Sequence, residues 1–217
     1  MKFDKEQLKL YAVTDRSWLE GESLCSQVEK ALKGGATMIQ IREKEMDEEG
    51  FYQEALQIQK LCREYQVPLI INDNVKLAAR LQADGVHVGQ DDMDVKEVRR
   101  ELGDQAIIGV SAHTCQQALL AQEGGADYLG VGAVFPTGTK SDATDVGLEG
   151  LAHICGQVAI PVVAIGGIHK NNIKKLKGSK AAGLAVVSAI FAQKDVEQAA
   201  RELRKEVERM LEEGTEQ

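Results

Sequence analysis

Polar side chains able to bind anions stand at every second position of one short segment. In MIQIREK, which begins at Met38, these residues are Gln40, Arg42 and Lys44. An extended strand places alternate residues on one face, so the three would line the same surface. An unpaired buried amide costs about 1 to 3 kcal/mol, which leads us to expect a partner or ligand for Gln40. The alternative for Arg42 and Lys44 is that they only solvate the loop after the strand.

Carboxylates end two further apolar segments. LIIND ends with Asn72 and Asp73, and GVHVGQDD ends with Asp91 and Asp92. Asp73 together with Asp91 or Asp92 could bind a hard cation such as Mg²⁺, which takes few carboxylates and completes its shell with water and phosphate oxygens. Equally, Asp73 could cap the following helix, and the aspartate pair could lie in a solvated turn.

The turn FPTGTKS groups residues that suit a phosphate, namely Thr137, Gly138, Thr139 and Lys140. Hydroxyls and backbone N–H groups can surround phosphate oxygens while lysine supplies positive charge. The spacing of glycine and lysine differs from that of a Walker loop. Because surface turns of this composition are common, the turn predicts a phosphate site only together with its neighbours.

Three other apolar segments are followed by residues suited to similar chemistry. Ser111 and His113 follow one of them, and such a pair alone does not predict a hydrolytic triad. Gly167 follows the next-to-last segment, and Val187 and Ser188 end the last one. Glycine permits close approach of an anion to the backbone, although it also forms ordinary tight turns. Together these clusters predict a site for more than one phosphate.

The segments that carry these residues alternate with longer segments of helical period. The eight apolar segments are KLYAVTD, MIQIRE, PLIIND, GVHVG, AIIGVSA, YLGVGAVF, PVVAIGG and GLAVVSAI. The sequence therefore predicts an α/β fold, a (βα)8 TIM barrel with a closed parallel sheet and outer helices. Such barrels carry their functional groups at the C-terminal ends of the strands. An open doubly wound sheet is the rival, but the first turn, TDRSWLEGES, lacks its Gly-rich dinucleotide pattern.

The length of 217 residues suits one barrel domain, residues 1–217. The chain has 34 acidic and 26 basic residues, which gives a formal net charge of −8. This charge argues against nucleic acid and anionic membranes as partners, whereas a few cations can still attract small anionic substrates. No signal peptide and no segment of about 20 apolar residues is found, which predicts a cytoplasmic protein without a membrane span. The four cysteines lack CxxC spacing and are expected to be reduced and mostly buried, and a homo-oligomer is left open.

Six of these segments, taken in order, resemble the thiamine phosphate synthase family. They are QIREK from Gln40, IND from Ile71, HVGQDD from His87, VSAHT from Val110, PTGTK from Pro136 and IGGI from Ile165. Each is modest by itself, whereas all six on successive strands are specific, and the likeness runs from the first strand to Val187-Ser188.

The resemblance implies a transferase with Mg²⁺ as its cofactor and two phosphorylated small molecules as its substrates. These would be 4-amino-5-hydroxymethyl-2-methylpyrimidine diphosphate and a thiazole phosphate, 4-methyl-5-(2-phosphoethyl)thiazole, joined to give thiamine phosphate and pyrophosphate. The carbon–oxygen bond of the pyrimidine substrate would break first, and the thiazole nitrogen would then attack the resulting methyl cation.

The resemblance also assigns residues to each ligand. The residues around the pyrimidine diphosphate would be Gln40, Arg42, Lys44, Asn72, Ser111 and Lys140. The catalytic ones among these would be Arg42, Lys44, Ser111 and Lys140. The residues that hold the thiazole phosphate would be Thr137, Gly138, Thr139, Gly167, Val187 and Ser188. Mg²⁺ would be bound by Asp73 and Asp92, and many family members have glutamate in place of Asp91.

Two other functions are compatible with the sequence. A thiazole tautomerase-like barrel of the same lineage would bind one phosphate and no metal, so it should lack Arg42, Lys44, Asp73, Asp92 and Lys140, which this chain has. A non-catalytic phosphometabolite-binding regulator would bind both substrates without releasing pyrophosphate, because a protein can keep its ligand-binding residues after it has lost catalytic activity.

Overall fold

The computed structural model describes residues 3–137 and 146–214, and in this part of the chain eight parallel strands close into a barrel. Consecutive strands pair in sequence order, and the last strand pairs with the first to complete the closure. The strands are β1 (Leu10–Val13), β2 (Met38–Ile41), β3 (Leu69–Asn72), β4 (Gly85–Val88), β5 (Ile107–Ala112), β6 (Tyr128–Val131), β7 (Val162–Ile165) and β8 (Gly183–Val186). All lie within the apolar segments of the sequence, which confirms the predicted TIM barrel.

Helices cover the outside of the barrel. They are α1 (Leu24–Lys33), α2 (Glu48–Glu64), α3 (Val75–Leu81), α4 (Val95–Leu102), α5 (Cys115–Gly124), α6 (Gly147–Gln157), α7 (Ser188–Phe191) and α8 (Val196–Gly214). Short polar side chains such as Ser23 and Asp47 cap the first N–H groups of these helices. A 3-10 helix, Ile173–Leu176, lies between β7 and β8. Helix α8 packs against α1 and β1, which closes the outer ring.

The alternation of side chains along each strand divides the core into two layers. Ile39 and Ile41 belong to the outer layer, between the strands and the helices. Tyr11, Met38 and Tyr128 belong to the inner layer, which fills the barrel. A shift of one residue in register would exchange the two faces of a strand. Because burying each large apolar side chain contributes roughly 1.5 to 3 kcal/mol, the two layers together fix the register that turns alternate polar residues inward.

The four cysteines are free thiols in different environments. Cys62 is buried, whereas Cys25, Cys115 and Cys155 are partly exposed and pack against the edge of the core. Burial raises the pKa of Cys62 to about 12, which keeps this thiol protonated and unreactive at neutral pH. Among the helices of residues 3–137 and 146–214, none has the length and apolar character needed to cross a membrane.

Candidate active site

A cavity of about 150 Å³ opens where the C-terminal ends of the strands meet. Eight residues that the sequence analysis assigned to a substrate line it, namely Gln40, Arg42, Asn72, Ser111, Thr137, Gly167, Val187 and Ser188. The first four lie on or just after β2, β3 and β5, whereas the last four follow β6, β7 and β8. Closure of the barrel thus brings into one space two groups of residues that are far apart in the sequence.

Gln40 and Arg42 reach the cavity because they occupy the inward positions of β2 and its continuation. Gln40 is buried, and its Nε2 donates to the phenol oxygen of Tyr11 at 2.6 Å. The Arg42 side chain is 12% exposed, and its Nη1 lies 3.7 Å from Oδ2 of Asp15. A guanidinium has five N–H donors, so this one long contact orients Arg42 and leaves donors for an anionic ligand.

Lys44 does not reach the cavity. Strand β2 ends at Ile41, so the alternation that predicted a common face for Gln40, Arg42 and Lys44 stops before Lys44. The Lys44 side chain is exposed and lies outside the cavity lining, and its backbone N–H donates to Oε1 of Glu43 at 2.8 Å. Its predicted contact with a diphosphate therefore needs a change in the position of the side chain.

An ion-pair cluster that the sequence analysis did not identify fixes the loop after β2. Arg16 binds the carboxylates of both Glu43 and Glu54. Burial disfavours the ionised form of Glu43, but two backbone N–H groups and the Arg16 guanidinium outweigh it and hold the pKa of Glu43 below its ordinary value. The cluster joins the loop after β1 to the loop after β2 and to α2, so it positions the backbone next to Arg42.

Ser111 is paired with a histidine, although not with the one nearest in the sequence. Its Oγ lies 3.0 Å from Nε2 of His87 on β4. His113 also lines the cavity, and its Nδ1 lies 2.6 Å from the carbonyl oxygen of Gly132 after β6. Thr114 caps α5. His113 therefore joins two loops and is not a base for Ser111.

Three polar residues of the barrel interior were not selected from the sequence, namely Tyr11, His87 and Tyr128. The two phenol oxygens are 2.8 Å apart, and Nδ1 of His87 lies 3.0 Å from the phenol oxygen of Tyr128. Tyr11 and His87 line the cavity directly. Each of the three stands at an inward position of an apolar strand, which is the signal that had identified Gln40 and could have identified them.

Asp73 and Asp92 follow neighbouring strands, and both side chains are exposed. The backbone N–H of Asp73 donates to the carbonyl oxygen of His87 at 2.9 Å. Asn74 caps α3 by accepting a backbone hydrogen bond from its first turn at 2.9 Å, so the alternative that Asp73 is the cap is wrong. Oδ2 of Asp92 accepts a hydrogen bond from the backbone N–H of Gly89 at 2.7 Å, which folds the loop after β4 back toward the strand.

A second, wider cavity of about 760 Å³ adjoins the first. Thr137, Gly167 and Ser188 line both cavities. Gly167 has a φ of 63°, and a Cβ at this position would lie 2.5 Å from the carbonyl oxygen of Pro136, so glycine is required between the loops after β6 and β7. Polar residues of this cavity that the sequence analysis did not select are His169, Asn171, Asn172, Lys175 and Gln193.

The sequence model of the family described as thiamine monophosphate synthase matches residues 10–190. The chain belongs to this family. A thiamine-phosphate synthase of Clostridium botulinum (strain Eklund 17B / Type B) is 46% identical over 207 residues, which cover 95% of this chain and 97% of that protein. One of Syntrophomonas wolfei subsp. wolfei is 48% identical over 201 residues, which cover 92% and 96%. The solved thiamine phosphate pyrophosphorylase from Pyrococcus furiosus superposes with a TM-score of 0.88 at 42% identity and covers 95% of this chain and 98% of that one.

Membership of the thiamine monophosphate synthase family makes this chain an enzyme of the transferase class. The likeness extends over nearly the whole length of these relatives, so it includes both groups of cavity residues and the loops after β3 and β4. Gly138, Thr139 and Lys140 lie outside the described residues, and their contacts with phosphates stay predictions.

The oxygen atoms of Asp73 and Asp92 fit the preferences of a magnesium ion. Mg²⁺ is commonly held by one or two carboxylates together with water and substrate phosphates. Across residues 3–137 and 146–214, no group of three or more His, Cys, Asp or Glu is placed to hold a metal. Asp73 and Asp92 are two exposed carboxylates at the ends of neighbouring strands. In this member of the thiamine monophosphate synthase family, they therefore suit a metal whose remaining ligands come from a phosphorylated substrate.

Proposed function

We propose that this enzyme joins 4-amino-5-hydroxymethyl-2-methylpyrimidine diphosphate to 4-methyl-5-(2-phosphoethyl)thiazole and releases thiamine phosphate and pyrophosphate. The observation that carries the proposal is the single cavity shared by two groups of residues. One group comes from β2, β3 and β5 and combines a guanidinium, amides and a hydroxyl. The other comes from the loops after β6, β7 and β8 and combines hydroxyls with glycine. Two ligands held side by side in this way are in the arrangement that a condensation needs.

The pyrimidine diphosphate is assigned to the side of the cavity with Arg42, Asn72 and Ser111. The guanidinium of Arg42 offers paired N–H donors whose geometry matches two phosphate oxygens. Asn72 has both donor and acceptor atoms, so it can bind a pyrimidine edge. Lys44 and Lys140 are proposed to bind the diphosphate.

Departure of pyrophosphate is the step that needs stabilisation of negative charge. Asp73 and Asp92 would hold Mg²⁺, which when bound neutralises charge on the leaving diphosphate. Arg42 supplies a fixed positive charge on the same side, and such preorganised groups stabilise charge as it develops. The bond between the pyrimidine methylene carbon and the diphosphate oxygen breaks, and its electron pair leaves with pyrophosphate.

The thiazole phosphate is assigned to Thr137, Gly167, Val187 and Ser188, with the adjoining cavity as the space for its phosphate. The thiazole nitrogen then supplies its electron pair to the methylene carbon, and no protein nucleophile is needed. The inner wall of the first cavity includes apolar residues such as Val163. These exclude water, which would otherwise capture the reactive carbon.

The test is pyrophosphate release by the purified protein with both substrates and Mg²⁺. We expect release only when both substrates and the metal are present, with thiamine phosphate formed in equal amount. Controls omit each substrate in turn and add EDTA. Release from the pyrimidine diphosphate alone would indicate a hydrolase and would contradict the proposal.

Binding measurements separate the two alternatives. Binding of the thiazole phosphate with its conversion to a tautomer, and no pyrophosphate release, would indicate the tautomerase. Binding of both substrates without any turnover would indicate the regulator. Both results are read from the same protein preparation by calorimetry and product analysis.

A further inference from the structure

A continuous line of hydrogen bonds crosses the barrel interior beneath the cavity. Gln40 Nε2 donates to the Tyr11 phenol at 2.6 Å, and the Tyr11 and Tyr128 phenols are 2.8 Å apart. His87 continues the line, with Nδ1 3.0 Å from the Tyr128 phenol and Nε2 3.0 Å from Ser111 Oγ. The line, here called the polar relay, thus begins and ends at residues that line the cavity.

Two glycines provide the space for the polar relay. Gly109 stands in register between His87 on β4 and Tyr128 on β6. A Cβ at Gly109 would lie 2.1 Å from Cζ of Tyr128 and 2.5 Å from Nδ1 of His87. A Cβ at Gly130 would lie 3.0 Å from Cε1 of His87. Because glycine has no side chain, His87 and Tyr128 can contact each other across the intervening strand β5. The polar relay therefore requires small residues at positions 109 and 130.

With Gln40 Nε2 as the donor to Tyr11, counting protons fixes the direction of every other link. Burial raises the pKa of both Tyr11 and Tyr128, so each phenol keeps its one proton at neutral pH. Each hydrogen bond of the relay must contain one proton. Two protons between the same pair of atoms would repel each other, and with no proton two lone pairs would face each other in the dry interior. Gln40 fills the first link with an amide proton. Tyr11 must then donate to Tyr128, and Tyr128 must donate to Nδ1 of His87.

The same count determines what the relay presents to the cavity. Since Nδ1 of His87 accepts, the ring proton is on Nε2 and is donated to Ser111 Oγ. The hydroxyl proton of Ser111 is then left to donate to a ligand. At the other end, Oε1 of Gln40 is left as an acceptor. Turning the Gln40 amide over would reverse every link and exchange the two roles.

We propose that Tyr11, Tyr128 and His87 are positioning residues that orient Gln40 as a hydrogen-bond acceptor and Ser111 as a donor toward the pyrimidine substrate. The assignment of these two groups to the pyrimidine diphosphate rests on the proposed function. In this arrangement Gln40 selects an N–H group of the substrate, such as an exocyclic amine, and Ser111 selects an unprotonated nitrogen or a phosphate oxygen. A substrate analogue with a hydroxyl in place of the amine could form a hydrogen bond with Oε1 of Gln40 only by donating its hydroxyl proton.

The first experiment reads the tautomer of His87 in the ligand-free protein. The chain has 4 histidines, so ¹⁵N-histidine labelling and long-range ¹H–¹⁵N correlation give few signals, and His87→Gln identifies those of His87 by their loss. We expect a neutral ring protonated at Nε2. A ring protonated at Nδ1, or at both nitrogens, would overturn the proposed direction. This measurement does not depend on the reaction, so it stands even if the proposed function fails.

The second experiment removes one link without changing the ring that fills the space. Tyr128→Phe lacks the donor to Nδ1, so His87 should become a mixture of tautomers. The KM for the pyrimidine diphosphate should rise roughly five- to tenfold, the range expected for one hydrogen bond, with the Kd of the thiazole phosphate unchanged. Tyr65→Phe, the same change at the end of α2, is the matched control and should alter neither quantity.

The two readouts together separate orientation from packing. A raised KM in Tyr128→Phe with an unchanged His87 tautomer would overturn the proposal, because the phenol would then act only through packing. Unchanged KM with a changed tautomer would also overturn it, since the orientation of Ser111 would then have no effect on the substrate. Binding of the pyrimidine diphosphate can replace KM if the protein shows no turnover.

Discussion

At the scale of single residues, the cavity offers a cationic side chain to the proposed anionic substrate although the chain as a whole carries a formal charge of −8. Arg42 is mostly buried and lies near one carboxylate, Asp15, at a distance that leaves its other N–H donors for a ligand. Ser111, Asn72 and Gln40 add neutral polar groups around it. In a partly buried site the local arrangement of charges outweighs the net charge, because distant exposed charges are screened by solvent.

The metal assignment is tested at Asp73. Asp73→Asn keeps the size of the side chain and tolerates the positive φ of 59° at this position. We expect Mg²⁺-dependent turnover to fall on the order of a hundredfold, as for loss of other groups that stabilise developing charge, with little change in the free energy of unfolding.

Steady-state kinetics over a series of Mg²⁺ concentrations and urea unfolding provide the measurements. Asp104→Asn, the same change at an exposed carboxylate after α4, is the control. Full activity of Asp73→Asn at low Mg²⁺ would remove Asp73 from the metal site.

The position of the thiazole phosphate is tested at Ser188. Ser188 is partly buried and lines both cavities, so Ser188→Asp places a negative charge beside the proposed phosphate. We expect the Kd of the thiazole phosphate to rise at least about tenfold, because like charges at short range repel. Calorimetric titration measures this, and Ser188→Ala separates the loss of the hydroxyl from the added charge. An equal Kd for Ser188→Asp and the parent chain would place the phosphate elsewhere.

At the scale of elements, the site depends on loops that are held together in pairs. The Arg16 cluster joins the loops after β1 and β2, His113 joins the loops after β5 and β6, and Gly167 allows close contact between the loops after β6 and β7. None of these contacts is local in the sequence. They hold the strand ends at fixed separations, which is the condition for two substrates to meet in one geometry.

The Arg16 cluster gives a pH dependence that can be measured. The pKa of Glu43 is lowered in the folded protein, so its contribution to stability is present above the ordinary value of 4.5 and is lost as pH falls through the lowered pKa. We expect Glu43→Gln to be less stable than the parent chain at neutral pH, and this difference to shrink as pH falls below 4.5.

Urea unfolding at successive pH values measures the difference in the free energy of unfolding. Glu45→Gln, at an exposed neighbouring carboxylate, is the matched control and should leave stability unchanged at every pH. A difference between Glu43→Gln and the parent chain that stays constant below pH 4.5 would contradict the ion-pair explanation.

At the scale of the whole molecule, stability comes from the closed barrel and its helical layer, whereas the candidate site is confined to one end of the barrel. Helix α8 returns the chain to α1 and β1, and Leu203 of this helix is 2% exposed. The packing that completes the ring therefore involves residues outside the cavity lining.

This separation is tested by Leu203→Ala. We expect the free energy of unfolding to fall by about 2 to 5 kcal/mol, because the change removes buried apolar atoms and leaves a cavity. Turnover at a temperature where the variant stays folded should match that of the parent chain. Urea unfolding and steady-state kinetics measure both, and Gln198→Ala on the exposed face of α8 is the control. Loss of turnover in a folded Leu203→Ala would show that α8 influences the site.

The sequence by itself determined the architecture and most of the polar residues that line the cavity. The period of two in the strands, the helical period between them and their number follow from local patterns, and the strand ends then identify residues such as Gln40, Arg42 and Ser111. These patterns are reliable because side-chain direction within a regular element is set by its own geometry. The same rule failed at Lys44, where the strand had already ended.

Only the tertiary structure decided which side chains meet. The phenols of Tyr11 and Tyr128 are separated by 117 residues and touch because closure of the barrel brings β1 and β6 to opposite sides of a narrow interior. Ser111 pairs with His87 rather than His113, and α3 is capped by Asn74 rather than Asp73. Contacts of this kind depend on register, loop path and the space left by residues such as Gly109, and no local pattern in the sequence encodes those distances.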